Sequence, residues 1–412
     1  MVERQQSDVI VIGGGAAGFF GAIACANKNS LARVTILEAG SQPLTKVRIS
    51  GGGRCNVTHH CFDPAKLVQN YPRGGKALRG AFSRFQPQDT VNWFESRGVK
   101  LKTEADGRMF PITDDSATIV NCLLQAAEQA GVSLRTKTVV KSVKRDRDLG
   151  WQVILKNGET LQCNSVLIAT GSNPSGYRWA KQLGHNIESP VPSLFTFGIK
   201  DPRLQGLAGV TVANTKVRLL NTGKIKLEQT GPLLVTHWGL SAPAILKLSA
   251  WGARVLYEHK YNLPLKINLL PQYNQETLKQ ELNKIKSSMA KKKVINYCPL
   301  AIPKRFWQNL VNYLGIKSEK VWAELSKKEI NKLVLELLQG KYQITSKGVF
   351  KEEFVTCGGI KLKEINFKTM ESKICPGIYF AGEVLDIDGV TGGFNFQSAW
   401  TTGWLAGNAI LN

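Results

Sequence analysis

Two periodicities alternate along the first 170 or so residues. Asp8 to Ile12 is a short, almost wholly apolar run of the kind a buried strand shows, and Ala16 to Asn29 follows as a helix with Ala and Gly on its packing side. Arg33 to Leu37 gives a second strand, which ends at Glu38. Helical patterns recur at Gly75 to Phe85, at Pro87 to Arg97 with proline at its start, and at Asp114 to Ala130, where Asp114 or Asp115 can cap the free amides. Val99 to Phe110 contains Asp106-Gly107 and predicts a hairpin. Further strands are predicted at Val132 to Arg135, Val139 to Arg145, Trp151 to Leu155 and Val166 to Ala169. The alternation predicts a mixed α/β domain on a central parallel sheet.

From about Pro190 the pattern shortens. Leu194 to Ile199, Val210 to Val212, Lys216 to Leu220 and Lys224 to Glu228 read as short strands between Gly and Asn turns, a small β-rich module. Residues 274 to 340 then read as lysine-loaded helices, and strand-like sequence resumes near Val349. The expected organisation is a discontinuous nucleotide domain, residues 1–190 and 346–412, interrupted by a β-rich module (191–273) and a basic helical module (274–345).

Composition sharpens this picture in three ways. The 412 residues, 43% of them apolar, can bury a full core divided over two or three domains. Fifty-four Lys and Arg against 31 Asp and Glu give a formal charge of +23, more than solubility needs, and residues 251–350 alone hold 18 basic against 7 acidic residues. That concentration points to a polyanionic partner. Eight cysteines without a CxxC pair indicate neither a metal site nor a disulfide framework and fit a reducing cytoplasm. The apolar run Val9 to Ala26 is broken by three glycines, and Glu3 and Asp8 offset Arg4, so no signal peptide, membrane span or secretion is expected.

Chemistry enters at the glycines. Gly13-Gly14-Gly15-Ala16-Ala17-Gly18 satisfies GxGxxG between a strand and a helix, and Glu38 stands twenty residues after Gly18 at the end of the next strand. In that arrangement Gly13 allows the tight turn, Gly15 admits a pyrophosphate to the backbone, Gly18 lets helix and sheet pack closely, and Glu38 bonds ribose hydroxyls. The carboxy terminus decides between NAD and FAD. A strand, Gly377 to Glu383, ends in Gly-acid and is followed by Gly389, Gly392, Gly393 and a helix from about Asn395. An acid there can bond ribityl hydroxyls, and a helix amino terminus can stabilise negative charge at the flavin N1/O2 edge; NAD needs neither. Val166 to Gly171 is a further strand and turn of the kind that lies against a bound dinucleotide. With no second GxGxxG, a nicotinamide donor, NAD(P)H, is expected to visit transiently.

The motifs Ser50-Gly51-Gly52-Gly53-Arg54-Cys55-Asn56, Gly382 to Asp386, Asp388 to Gln397, Thr236 to Ala244, Val355 to Gly359 and Thr369 to Glu371 together resemble the BaiN/RdsA family of flavoproteins along the whole chain. The resemblance implies an α/β fold: a Rossmann-like, glutathione-reductase-like FAD-binding domain interrupted by a β-barrel-like module and a small helical module. It also implies reduction of activated carbon–carbon double bonds, since the family includes bile-acid enone reductases and bacterial ribosomal RNA dihydrouridine synthases. The chain departs from the family at Ala242, where members usually carry Gly, and at Cys357, a variable position.

Candidate cofactor contacts are Gly13, Gly15, Ala16, Ala17, Gly18 and Glu38; Lys46, Ser50, Gly51, Gly52, Arg54, Cys55 and Asn56; Val140, Ala169, Thr170 and Gly171; and Gly382, Glu383, Asp388, Gly392, Gly393, Phe394, Asn395 and Phe396. Double-bond reduction needs a hydride and a proton. Cys55 is either the acid or a small buried hydrophobe, and His237 either faces the flavin or bonds a turn. Arg54 holds flavin or substrate oxygens, or a surface phosphate. Cys25, Cys122 and Cys163 are expected in the core. The charge favours ribosomal RNA as partner over a small molecule, with Phe306, Trp307, Tyr313 and Trp322 either stacking unpaired bases or forming the core of amphipathic helices. A cytoplasmic FAD enzyme acting on uracil in 23S ribosomal RNA is the first reading; a small-molecule enone reductase or amine oxidase and a nonenzymatic RNA-binding flavoprotein are the alternatives.

Overall fold

The computed structural model describes residues 8–146, 150–348 and 355–410. The chain forms two compact units, Met1–Pro190 with Val355–Asn412, and Val191–Phe354. No described helix is long and apolar enough to cross a membrane.

The first unit is built on five parallel strands in the order Ile378–Phe380, Ser165–Ile168, Val9–Ile12, Val34–Leu37 and Ser133–Arg135, with the antiparallel Glu371–Ser372 and Ile365–Asn366 added at one edge. Val9–Ile12, Val34–Leu37 and Ser165–Ile168 are buried at every position, as strands covered on both faces must be. The chain leaves Val9–Ile12 towards Val34–Leu37 on one side and returns to Ser165–Ile168 on the other, so the strand order reverses beside the first strand. Ligands of open α/β sheets bind at the carboxyl ends of strands at such a reversal. Helices Ala16–Lys28 and Phe394–Ala409 pack along one another, with Gly21, Gly403 and Gly407 where their backbones come closest, and Gly382 of the carboxy-terminal motif lies against Ala17.

The second unit holds a seven-stranded antiparallel sheet in the order Gly340–Ile344, Leu263–Asn268, Thr211–Leu219, Glu228–Val235, Gly239–Ser241, Phe197–Gly198, Ser346–Lys347. Its two edge strands are separated in sequence by Thr345 alone, whose amide donates to Gly198 O at 2.9 Å. One continuous segment thus spans both edges and closes the sheet into the barrel-like form expected. Helices Gln275–Ser288, Lys304–Tyr313 and Lys327–Gln339 share one hydrophobic core with the strands, from Phe195 to Ile344, so the β-rich and helical parts pack as one body instead of two modules.

Several local expectations change. Phe306, Trp307 and Trp322 are fully buried in that core, which removes them as base-stacking surfaces; Tyr313 is exposed. Their helical spacing marks an inner face, as the amphipathic alternative held. Lys224 to Leu227 forms no strand, because Asn221 and Gly223 adopt left-handed conformations and the ladder starts at Glu228. Val210–Val212 and Lys216–Leu220 merge into one strand, Thr211–Leu219, with a bulge between Val212 and Thr215. Asp115, not Asp114, caps the helix Ser116–Gln129. The strand expected near Val349 lies outside the described residues.

Candidate cofactor site

The glycine turn has the geometry its spacing demands. Gly13 has φ +112°, and a Cβ there would stand 2.4 Å from Ala169 O; a Cβ on Gly18 would stand 2.0 Å from Gly13 O. Both positions exclude any side chain. Gly15 differs: an added Cβ meets nothing within 4 Å, so this residue borders open space. It is also the N-cap of Ala16–Lys28, and no side chain caps that helix end, whose Ala16, Ala17 and Gly18 form the first turn. Open space before uncapped amides is the cradle a pyrophosphate requires.

Three acidic or hydroxyl positions expected around this turn are found at or beside it. Glu38 accepts from Gly14 N at 2.8 Å and from Gly40 N at 2.7 Å, which fixes its carboxylate beside the turn. Thr138 N donates to Glu38 O and Lys137 N to Gly40 O, carrying the chain into the strand that begins at Val140. Ala169 N bonds Ile12 O, and the Thr170 hydroxyl that follows, before Gly171, is buried with no protein partner among the described residues. Glu383 accepts from Thr356 N at 2.8 Å and pairs with Lys46 Nζ at 2.5 Å. Gly382 lies against Ala17 with φ +76°. An orphaned hydroxyl, two anchored carboxylates and an uncapped helix end fit a dinucleotide.

The second half of the site is a loop pair. Helix Thr45–Gly53 leaves helical geometry at Ser50, and Gly51 and Gly52 are left-handed. Asn56, with its amide turned to suit its neighbours, donates to Thr58 O at 3.1 Å and accepts from Gly393 N at 3.0 Å. Gly393 is the N-cap of Phe394–Ala409 and follows Gly392 in a loop held by Asn395, which accepts from Gly389 N and donates to Gly389 O. The side chains of Asn56 and Asn395 therefore shape the loop. Gln397 is fully buried, accepts from Thr58 at 2.6 Å and Thr90 at 2.9 Å, and donates to Thr401. Phe394 stacks on His59 with ring centroids 4.7 Å apart, and Phe396 stacks on Trp400. His59 and Arg73 carry no motif that singles them out in the sequence, and Gln397 closes the Asp388–Gln397 motif but is not among the candidate contacts.

Four of the expected site residues have surroundings that bear on their roles. Cys55 is fully buried, with φ +62°, and burial pushes its thiol up to about 12 against a lowering bond from Ser50. Arg54 does not project freely: it pairs with Glu104 at 2.6 Å and Asp114 at 3.4 Å and lies 4.0 Å over the Phe110 ring. Asp388 is fully buried and takes both prongs of the Arg73 guanidinium, so its carboxylate serves the loop and not a cofactor. His237 lies in the second unit, exposed on the turn between Glu228–Val235 and Gly239–Ser241. Cys25, Cys122 and Cys163 are buried, as expected.

A family model described as "HI0933-like protein Rossmann domain" matches residues 7–409. The chain belongs to this family. Its members are FAD-dependent oxidoreductases, and the chain is an enzyme of that class. The family member in Escherichia coli named "Ribosomal RNA dihydrouridine synthase" is 32% identical over 99% of this chain and 98% of its own length. A Clostridium scindens protein named "3-dehydro-bile acid delta(4,6)-reductase" is 28% identical over 97% of this chain and 98% of its own. Among solved structures, 3-ketosteroid-delta4-(5alpha)-dehydrogenase from Rhodococcus jostii shares the fold, with a TM-score of 0.53 at 14% identity over 100% of this chain and 98% of that one.

Proposed function

We propose that this chain reduces a carbon–carbon double bond conjugated to a carbonyl, that its substrate is uracil in 23S ribosomal RNA, and that NAD(P)H supplies the electrons in the cytoplasm. One observation supports the reading: Gly13–Gly18, Glu38, Thr170 and Glu383 all stand just beyond the carboxyl ends of parallel strands. The Escherichia coli relative, named for making dihydrouridine in ribosomal RNA, supports the substrate. FAD, when bound, supplies hydride chemistry at its N5.

The chain's own groups then divide the work. The amides at Gly15–Ala17 would hold the pyrophosphate, Glu38 the adenosine ribose, and Glu383, itself held by Lys46, the ribityl chain. The N-terminus of Phe394–Ala409 favours negative charge on the reduced ring edge. For the proton, Cys55 and His237 are the two candidates, and a thiol pushed up to about 12 gives up its proton poorly at neutral pH. The exposed run Lys291-Lys292-Lys293 offers charge to phosphates.

The test is direct. The FAD-loaded protein, NADH or NADPH and unmodified 23S ribosomal RNA are combined, and dihydrouridine is measured by mass spectrometry. Formation of dihydrouridine supports the proposal. No dihydrouridine, together with rapid reoxidation by an unsaturated 3-oxo bile acid, would establish the small-molecule reading that the Clostridium scindens relative favours.

A further inference from the structure

We propose that the segment Asn70–Gly75 is a strap that positions the loop Ile387–Gly393, and that Arg73 and Tyr71 are positioning residues setting how strongly bound FAD favours its reduced state. The inference rests on the FAD reading above and extends it to residues outside the recognised motifs.

The strap holds the loop at four points and the helix that follows it at a fifth. A Cβ on Gly74, which has φ +82°, would stand 2.6 Å from Ile387 Cγ1, so only glycine lets the two segments approach. Arg73 Nε and Nη2 donate to the two oxygens of Asp388, and the same two residues form an antiparallel bridge. The Tyr71 ring lies against Gly389. Val390 N donates to Asn70 O at 2.8 Å. Tyr71 OH donates to Phe394 O at 2.7 Å, in the first turn of the terminal helix.

Stability alone gives no reason for this arrangement. The Asp388 carboxylate is fully buried and the Arg73 side chain 17% exposed, and a desolvated ion pair of this kind is no better for folding than well-packed apolar residues. A bidentate pair does fix position and direction. What it fixes is the run that ends at Gly393, the N-cap of Phe394–Ala409, where no side chain caps the free amides. The stabilisation those amides give a developing negative charge depends on their placement to a few tenths of an ångström.

The experiment compares wild type, Y71F, R73K and R73Q, each loaded with FAD, for midpoint potential, flavin absorbance spectrum, FAD affinity and thermal midpoint. Y71F and R73Q are expected to lose about tenfold in preference for reduced over oxidised FAD, a fall of about 30 mV for a two-electron couple. R73K is expected in between, since it keeps the charge and loses the fork. Variants that unfold more readily yet hold FAD at the wild-type potential and spectrum would show a strap with a structural role only and overturn the proposal. If R73Q fails to fold, Y71F decides, because it removes a single hydroxyl. A wild-type chain that takes up no FAD would overturn the reading of the site itself.

Discussion

Replacing Glu38 by Gln tests the nucleotide half of the site with a change of one atom. The carboxylate holds two backbone amides, Gly14 N at 2.8 Å in a half-buried setting and Gly40 N at 2.7 Å in an exposed one. Gln keeps one acceptor oxygen and turns an NH2 group towards the other amide, so one charge-assisted bond is lost. Such bonds contribute about 1.5–3 kcal/mol each, and solvent competes for the exposed member. A net loss of about 1.5–2 kcal/mol in holding the Gly13–Gly15 turn ready corresponds to FAD binding weakened about 10- to 30-fold. Titration of apo-protein with FAD, followed by quenching of flavin fluorescence, reads this directly. An E38Q dissociation constant within twofold of wild type, in a folded protein, would refute the reasoning.

Other outcomes follow from individual residues. Ala242 has φ 78° and ψ 174°, a region natural to glycine, so A242G should stabilise the protein by about 1 kcal/mol, read as a higher thermal midpoint. W307A should cost about 3–5 kcal/mol through loss of a fully buried ring, whereas replacing Lys291, Lys292 and Lys293 by Gln should leave stability nearly unchanged and flatten the salt dependence of RNA binding by about 2 in slope. Cys55→Ala should retain FAD and most activity, measured by steady-state turnover, with a thermal midpoint only slightly lowered. Burial holds His185 below the usual histidine range, against the opposing bond from Glu364, so it is neutral in the fold. The stability it contributes is present above the unfolded value of 6.5 and declines as pH falls below it, because only the unfolded chain then takes up the proton. The difference in thermal midpoint between wild type and H185N should therefore shrink from pH 7.5 to 5.5.

Much of this architecture is legible locally. The runs Val9–Ile12, Val34–Leu37 and Ser165–Ile168 are apolar at every or nearly every position because both faces of a parallel sheet are covered, and GxGxxG is readable because steric exclusion at Gly13 and Gly18 acts within a few residues. The barrel and the basic helices were visible as elements, but their common core was not, since shared burial is a property of packing and not of pattern.

The acids of the carboxy-terminal motif show where such reading stops. Glu383 and Asp388 stand five residues apart in the same glycine-rich run, and nothing in their spacing separates a cofactor ligand from a structural ion. Their partners do. Glu383 is paired with Lys46, 337 positions away, and keeps 20% of its side chain exposed; Asp388 is paired with Arg73, 315 positions away, and keeps none. A partly exposed carboxylate can exchange a lysine for a ribityl hydroxyl at little cost, while breaking a buried bidentate pair strands a charge away from water, a penalty of about 3–5 kcal/mol. The motif therefore contains one acid that stays partly open to solvent and one locked in a buried pair with the Asn70–Gly75 segment.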